Sequence, residues 1–129
     1  MINIVKIFNR HSINCSAIKM GNDWNISIFG GDISHIGAVA IGIPRPSLED
    51  KNKISSSVSL ITVTGHKEDV IVQKYAKELS SKINSTVVVC CGIHIDSITL
   101  DEIVALGNVI DEIIDELISV INHNKNATL

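Results

Sequence analysis

ISSSVSLITVTGHKEDVIVQKYAKELSSKINSTVVVCCGIHID, residues 54–96, is the stretch whose reading decides the fold. Its first part, about Ile54 to Val63, reads as a strand: Ser55, Ser57 and Ser59 share one face, and the apolar run Leu60-Ile61-Thr62-Val63 closes it. Val72, Tyr75, Ala76, Leu79 and Ile83 then recur at helical spacing, which predicts a helix from about His66 to Asn84. Glu68 and Asp69 in its first turn suit the positive end of the helix dipole. Thr86 to Cys91 is a continuous apolar run of the kind found in interior strands, and it ends at Gly92-Ile93-His94. Strand, helix and strand in this order make a β-α-β unit, so the two strands are parallel and finish at one edge of the sheet.

Upstream, short alternating runs read as a meander. Ile2 to Ile7, Ile13 to Met20 and Trp24 to Phe29 are separated by turn residues such as Gly21-Asn22-Asp23. A fourth strand is predicted from Ile36 to Ile43. One of its faces is small (Ala38, Ala40, Gly42), a sign that a helix or ligand packs close; the other is large (Val39, Ile41, Ile43). Pro44-Arg45-Pro46 ends it, and a polar loop from Leu48 to Lys53 follows. Downstream, Thr99-Leu100-Asp101-Glu102 is a capping-box pattern that opens a last helix. Ile103, Leu106, Ile110, Ile113, Leu117 and Val120 form its apolar stripe, widened by Ile114, Ile118 and Ile121. That width serves either to cover the sheet alone or to meet a partner subunit as well, and a homodimer is expected on this basis. The expected architecture is α+β: about six mostly antiparallel strands with two helices on one face, in βββββαβα order. Residues 1–121 form a single domain, and residues 122–129 read as a disordered tail.

Composition narrows the function classes. With 129 residues, 45% of them hydrophobic and only 3% aromatic, the chain can build one core from Ile, Val, Leu and Ala. The net charge is −3 and the basic residues are scattered, which argues against a nucleic-acid surface. No apolar run is long enough to span a bilayer, and Met1 to Lys6 lacks the order of a signal peptide; a cytoplasmic location is expected. Cys15, Cys90 and Cys91 contain no Cys-x-x-Cys pair and read as small hydrophobes, with Cys90 and Cys91 on opposite faces of their strand.

Three motifs remain: Gly30-Gly31-Asp32-Ile33-Ser34-His35-Ile36-Gly37, Thr64-Gly65-His66-Lys67-Glu68-Asp69 and Gly92-Ile93-His94-Ile95-Asp96. Each joins a histidine to a glycine and an acid. If strands four and five pair antiparallel, His35 before strand four, His66 after strand five and His94 at the end of strand six meet at one rim. Carboxyl ends of parallel strands beside a helix N-terminus are where ligands tend to bind. A metal site there would take His35, His66 and His94 with Asp96 or Asp32. Anion binding would use the amides of Gly65 to Lys67, with His66 and Lys67. Acid–base chemistry would use one histidine oriented by Asp32, Glu68 or Asp96, although no nucleophile is placed beside it.

The residues 30 to 38, 65 to 69 and 92 to 96 together resemble a prenylated-flavin chaperone-like family, which includes the small accessory subunit of gallate and other hydroxyarylic acid decarboxylases. Motif order is kept, and Thr64 stands where the family pattern has proline. The resemblance implies a non-catalytic protein that binds prenylated FMN or FMN and assists maturation of a partner decarboxylase. It also implies a fold similar to the dimeric proteasome-assembly chaperones. Gly31, His35, Gly65, His66, Lys67 and His94 would be the flavin- or phosphate-contact residues. Two other readings stand beside it: a metal-dependent hydrolase or lyase using the same histidines, and a dimeric assembly scaffold with no small ligand.

Overall fold

Gly21 takes a left-handed φ of +64°, and with Asn22 it makes a two-residue turn that closes the pair Met20 and Asp23. That turn fixes the register of the first half of the protein. A computed structural model describes residues 1–63 and 68–127. Its elements run β1 (Ile2–Phe8), β2 (His11–Met20), β3 (Asp23–Gly31), β4 (Ile33–Pro46), β5 (Ile54–Thr62), α1 (Asp69–Ile83), β6 (Val87–His94) and α2 (Leu100–Ala127). The expected α+β class and βββββαβα order are borne out.

The strands form one six-stranded sheet in the order β1-β2-β3-β6-β4-β5. β6 inserts between β3, to which it is parallel, and β4, to which it is antiparallel. β4 also pairs antiparallel with β5, so β5 and β6 point the same way with one strand between them. α1 lies over β4, β5 and β6, and α2 lies over β1 and beside α1. Both helices therefore share one side of the sheet, where Ile13, Ile26, Ile28, Val87 and Val89 meet Val72, Leu79, Ile110, Ile113, Ile114 and Leu117 in the core. The small face of β4 is explained by α1: a Cβ on Gly42 would run into the Ala76 carbonyl.

Two elements, β4 and α2, differ in extent from the sequence reading. β4 spans Ile33–Pro46 rather than Ile36 to Ile43. Beyond Gly42, which pairs with Val87, β6 has ended and β4 keeps only β5 as a neighbour, so Pro44 and Pro46 fit a strand with one side unpaired. α2 continues through Ala127, past the expected end of the domain at residue 121. Its last turn is held by Lys125, whose Nζ donates to the Ile83 carbonyl at 2.8 Å and so satisfies the C-terminus of α1. The start expected for the first helix, at His66, lies outside the described residues; the described helix begins at Asp69.

The capping box is present as read. Thr99 Oγ1 accepts from the Glu102 N–H at 3.1 Å, and the Thr99 N–H donates to Glu102 Oε1 at 3.2 Å. Asn84, left-handed at φ 50°, closes α1 by donating its N–H to the Ser80 carbonyl.

Candidate functional site

Glycine in each motif signals a close approach, and for Gly31, Gly37 and Gly92 the structure shows what approaches. A Cβ on Gly31 would collide with the His94 carbonyl, and Gly31 has a φ of +80° that side chains rarely adopt. A Cβ on Gly92 would fall inside the carbonyl group of His35. A Cβ on Gly37 would overlap the Glu68 carboxylate. The first motif thus interlocks with the third twice, and with the acidic end of the second once. The expected convergence at one rim holds for His35, His94, Gly31 and Glu68. Gly65, His66 and Lys67 lie outside the described residues.

The interlock follows from a break in β4. Ile33 pairs with His94 and Ser34 with Ile93, but the next pair is Ala38 with Cys91, so the chain bulges between Ser34 and Ala38. The bulge carries the His35 backbone over Gly92. From there His35 Nε2 reaches Glu68 Oε1 at 3.1 Å, and its Nδ1 lies 3.3 Å from the Ile33 carbonyl. Glu68 is buried at the N-cap of α1, so this pair ties the start of β4 to the start of the helix.

The other described acids at the rim are paired too. His94 Nε2 is 2.9 Å from Asp96 Oδ1, and this pair is largely exposed and adds little stability. Asp32 meets His11 Nε2 at 3.0 Å through Oδ1 and accepts the Asp96 N–H at 2.8 Å through Oδ2. The backbone hydrogen bond from Asp96 and then the His11 ring hold the Asp32 carboxyl below the usual carboxylate range. The rim is therefore a row of three imidazole–carboxylate pairs: His11–Asp32, His94–Asp96 and His35–Glu68.

His11 was not among the residues singled out from sequence. The signal was there: the turn at Gly21-Asn22 sets Met20 opposite Asp23, and counting back along both strands sets His11 beside Asp32. Arg45 belongs to β4 rather than a loop and donates to Ser57 Oγ at 3.0 Å. Ser55 and Ser57 lie on the side of β5 away from the helices, and β5 is an edge strand. Cys15 and Cys91 are buried under the helices, and burial pushes the Cys15 thiol up to about 12 and raises that of Cys91. Neither thiol is a candidate nucleophile for the rim.

Ile33, Ile36, His35 and His94 line a cavity of about 300 Å³ at this edge. The two isoleucines are 59% and 61% exposed, so an apolar lip stands beside two imidazoles. Such a surface suits a flat ring with hydrogen-bonding edges. Among the described residues no group of three or more His, Cys, Asp or Glu side chains is placed to hold a metal ion. His35 and His94 are each engaged with a different carboxylate.

A family model described as the prenylated flavin chaperone LpdD-like domain matches residues 8–122. The chain belongs to this family. The matched span contains all three motifs and every described residue of the rim. A solved structure described as a novel chaperone complex for yeast 20S proteasome assembly shares the fold, with a TM-score of 0.50 and 16% identity over 93% of this chain and 96% of that chain. At that identity the likeness concerns the fold alone. No curated protein matches the chain in sequence. Among the described residues no helix is long and apolar enough to cross a membrane.

Proposed function

We propose that this family member is a non-catalytic accessory protein of the cytoplasm whose rim binds a prenylated FMN, or FMN itself, as cargo for a partner decarboxylase. The observation that supports this most is the interlock of the motifs, which sets His35 and His94 beside the apolar lip of Ile33 and Ile36. The lip offers contact area to the ring system and to an added prenyl carbon skeleton. The imidazoles offer hydrogen bonds to its polar edge. Three carboxylates at the described part of the rim disfavour a phosphate there. The phosphate is therefore assigned to Gly65, His66 and Lys67, with the amides at the start of the helix. Gly31 contributes by permitting the approach of β3 to His94 rather than by touching cargo.

Release to an enzyme favours a shallow, open-edged site over an enclosed one, and a site of paired acids and imidazoles without a placed nucleophile suits carriage better than turnover. The test is a titration of FMN into the wild type, His94→Ala and His66→Ala, followed by quenching of flavin fluorescence. Binding by the wild type and at least about tenfold weaker binding by each variant, the worth of one charge-assisted hydrogen bond, is expected. Equal affinity in all three, or no binding in any, overturns the assignment.

A further inference from the structure

The end of the sheet away from the rim holds a second and larger cavity, of about 540 Å³. Trp24 lies at the start of β3 and Gly31 closes that strand at the rim, so about seven residues of strand, or roughly 23 Å, separate the two places. The hairpin at Gly21-Asn22 builds one wall of the cavity. Its register sets Lys19 opposite Trp24, with both side chains on the helix side of the sheet, in line with the buried Ala17 and Ile26. The ends of the two helices build the other wall: Asn84 and Ser85 follow α1, and Ile121, Asn124 and Lys125 come from the last turns of α2. Each part brings a chemistry. Trp24, the one tryptophan of the chain, packs in part against the core and presents the rest of its ring to the cavity. Asn22, Asn84 and Asn124 each carry an amide that can donate and accept. Lys19 and Lys125 supply two positive charges in a chain of net charge −3, and among the described residues no Asp or Glu lines the cavity.

We propose that this cavity binds a purine mononucleotide, with the flat base against Trp24, the base edges on the asparagine amides and the phosphate beside Lys19. The volume lies within the range of about 300–1,000 Å³ that small-molecule sites occupy, and it exceeds what a single-ring acid needs. A two-ring base matches the indole in area, and bases stack on aromatic side chains whatever their identity. Amides carried on three separate segments call for a ligand with several polar edges rather than one. A tryptophan with asparagines would equally suit a neutral sugar; two lysines with no carboxylate in the lining favour an anion instead. Two helix C-termini point to this end, and their field opposes an anion. That of α1 is already answered: the Ser80 carbonyl accepts the N–H groups of Asn84 and Ser85, and the Ile83 carbonyl accepts Lys125 Nζ at 2.8 Å and Ser85 Oγ at 3.3 Å. Lys19 stands on the strand wall rather than at a helix end, which is why the phosphate is placed there. The cavity shares no lining residue with the rim, so the inference holds whatever the rim binds.

Tryptophan fluorescence of the full chain reads this directly, because Trp24 has no companion. AMP and GMP are the probes. Unlike a flavin, they do not absorb where tryptophan emits, so a change reports contact with Trp24 and not energy transfer from the rim. Saturable quenching with a Kd of about 1 mM or tighter is expected for at least one of the two. The matching nucleoside, which lacks the phosphate, is expected to bind at least about tenfold more weakly, and so is the nucleotide to Lys19→Glu. Lys19 is exposed, so that variant is expected to keep the far-ultraviolet circular dichroism of the wild type. His94→Ala, at the rim, is expected to quench as the wild type does. No saturable change with either nucleotide up to about 10 mM overturns the proposal. Equal affinity for nucleoside and nucleotide, or equal affinity in Lys19→Glu, overturns the phosphate assignment and the proposal with it. A response lost in His94→Ala overturns it as well, since the ligand would then sit at the rim.

Discussion

Gly92→Ala places one methyl group where two motifs cross. A Cβ there lies inside the His35 carbonyl group and 3.1 Å from the His35 Cα, so it meets backbone rather than the tip of a side chain. Restoring ordinary contact of about 3.5 Å means moving the His35 backbone outward by on the order of 2 Å. That motion breaks the 3.1 Å pair between His35 and Glu68 and shifts the cavity wall. Overpacking of this kind costs about 3 kcal/mol, the upper part of the usual range, because neither backbone can rotate away. With about 2.1 cal/mol/K of unfolding entropy per residue, 129 residues give about 0.27 kcal/mol/K, so Tm falls by about 11 °C. Thermal unfolding followed by circular dichroism measures this, and the FMN titration on the same sample is expected to show lost binding well below the new Tm. An unchanged Tm would refute the crossing of the His35 backbone over Gly92. A lowered Tm with unchanged flavin affinity would refute the link between the crossing and the site.

Two further outcomes are expected. The Asp32 carboxyl has a depressed folded-state pKa, so its contribution to stability is present above the unfolded value near pH 4 and is lost as pH falls through the folded value. In carbon-detected NMR titration, His11→Ala is expected to raise that pKa only part of the way, because the Asp96 N–H is the larger cause; no change on removing His11 contradicts the pairing. Thr99→Ala removes the cap of α2, costs about 1 kcal/mol and lowers Tm by about 4 °C. A Tm unaffected by that change means that the capping box does not form in solution.

The β-α-β reading of residues 54–96 carried most of the fold, because the periods there are unambiguous: a serine face, a helical stripe, then an uninterrupted apolar strand. The site needed β4 as well, since the antiparallel pairing of its first residues with the end of β6 brings His35 to the edge where His94 lies. Several features were less legible for definite reasons. β4 runs through two prolines because it has lost one neighbour at Gly42, which depends on where β6 begins and not on local preference. Residues 122–127 have a polar composition but are held as helix, with Lys125 reaching the end of α1, a contact between segments about forty residues apart. The glycines were legible as close approaches, but not what approached them. Gly31, Gly37 and Gly92 each accommodate another motif of the same chain, so the rim is a self-assembled lock before it is a ligand surface. Among the acids, sequence offered Asp32, Glu68 and Asp96 as alternatives for orienting one histidine; each instead has a histidine of its own.

Histidine ring resonances test the central claim most directly. The chain has five histidines, His11, His35, His66, His94 and His123, and the last sits on the final turns of α2, away from the rim. On titration with FMN, the ring protons of His35, His66 and His94 are expected to shift together along one binding curve while those of His123 stay still. Unmoved rings at His35 and His94 in the presence of saturating FMN, or a shift confined to His123, would contradict a flavin-binding rim.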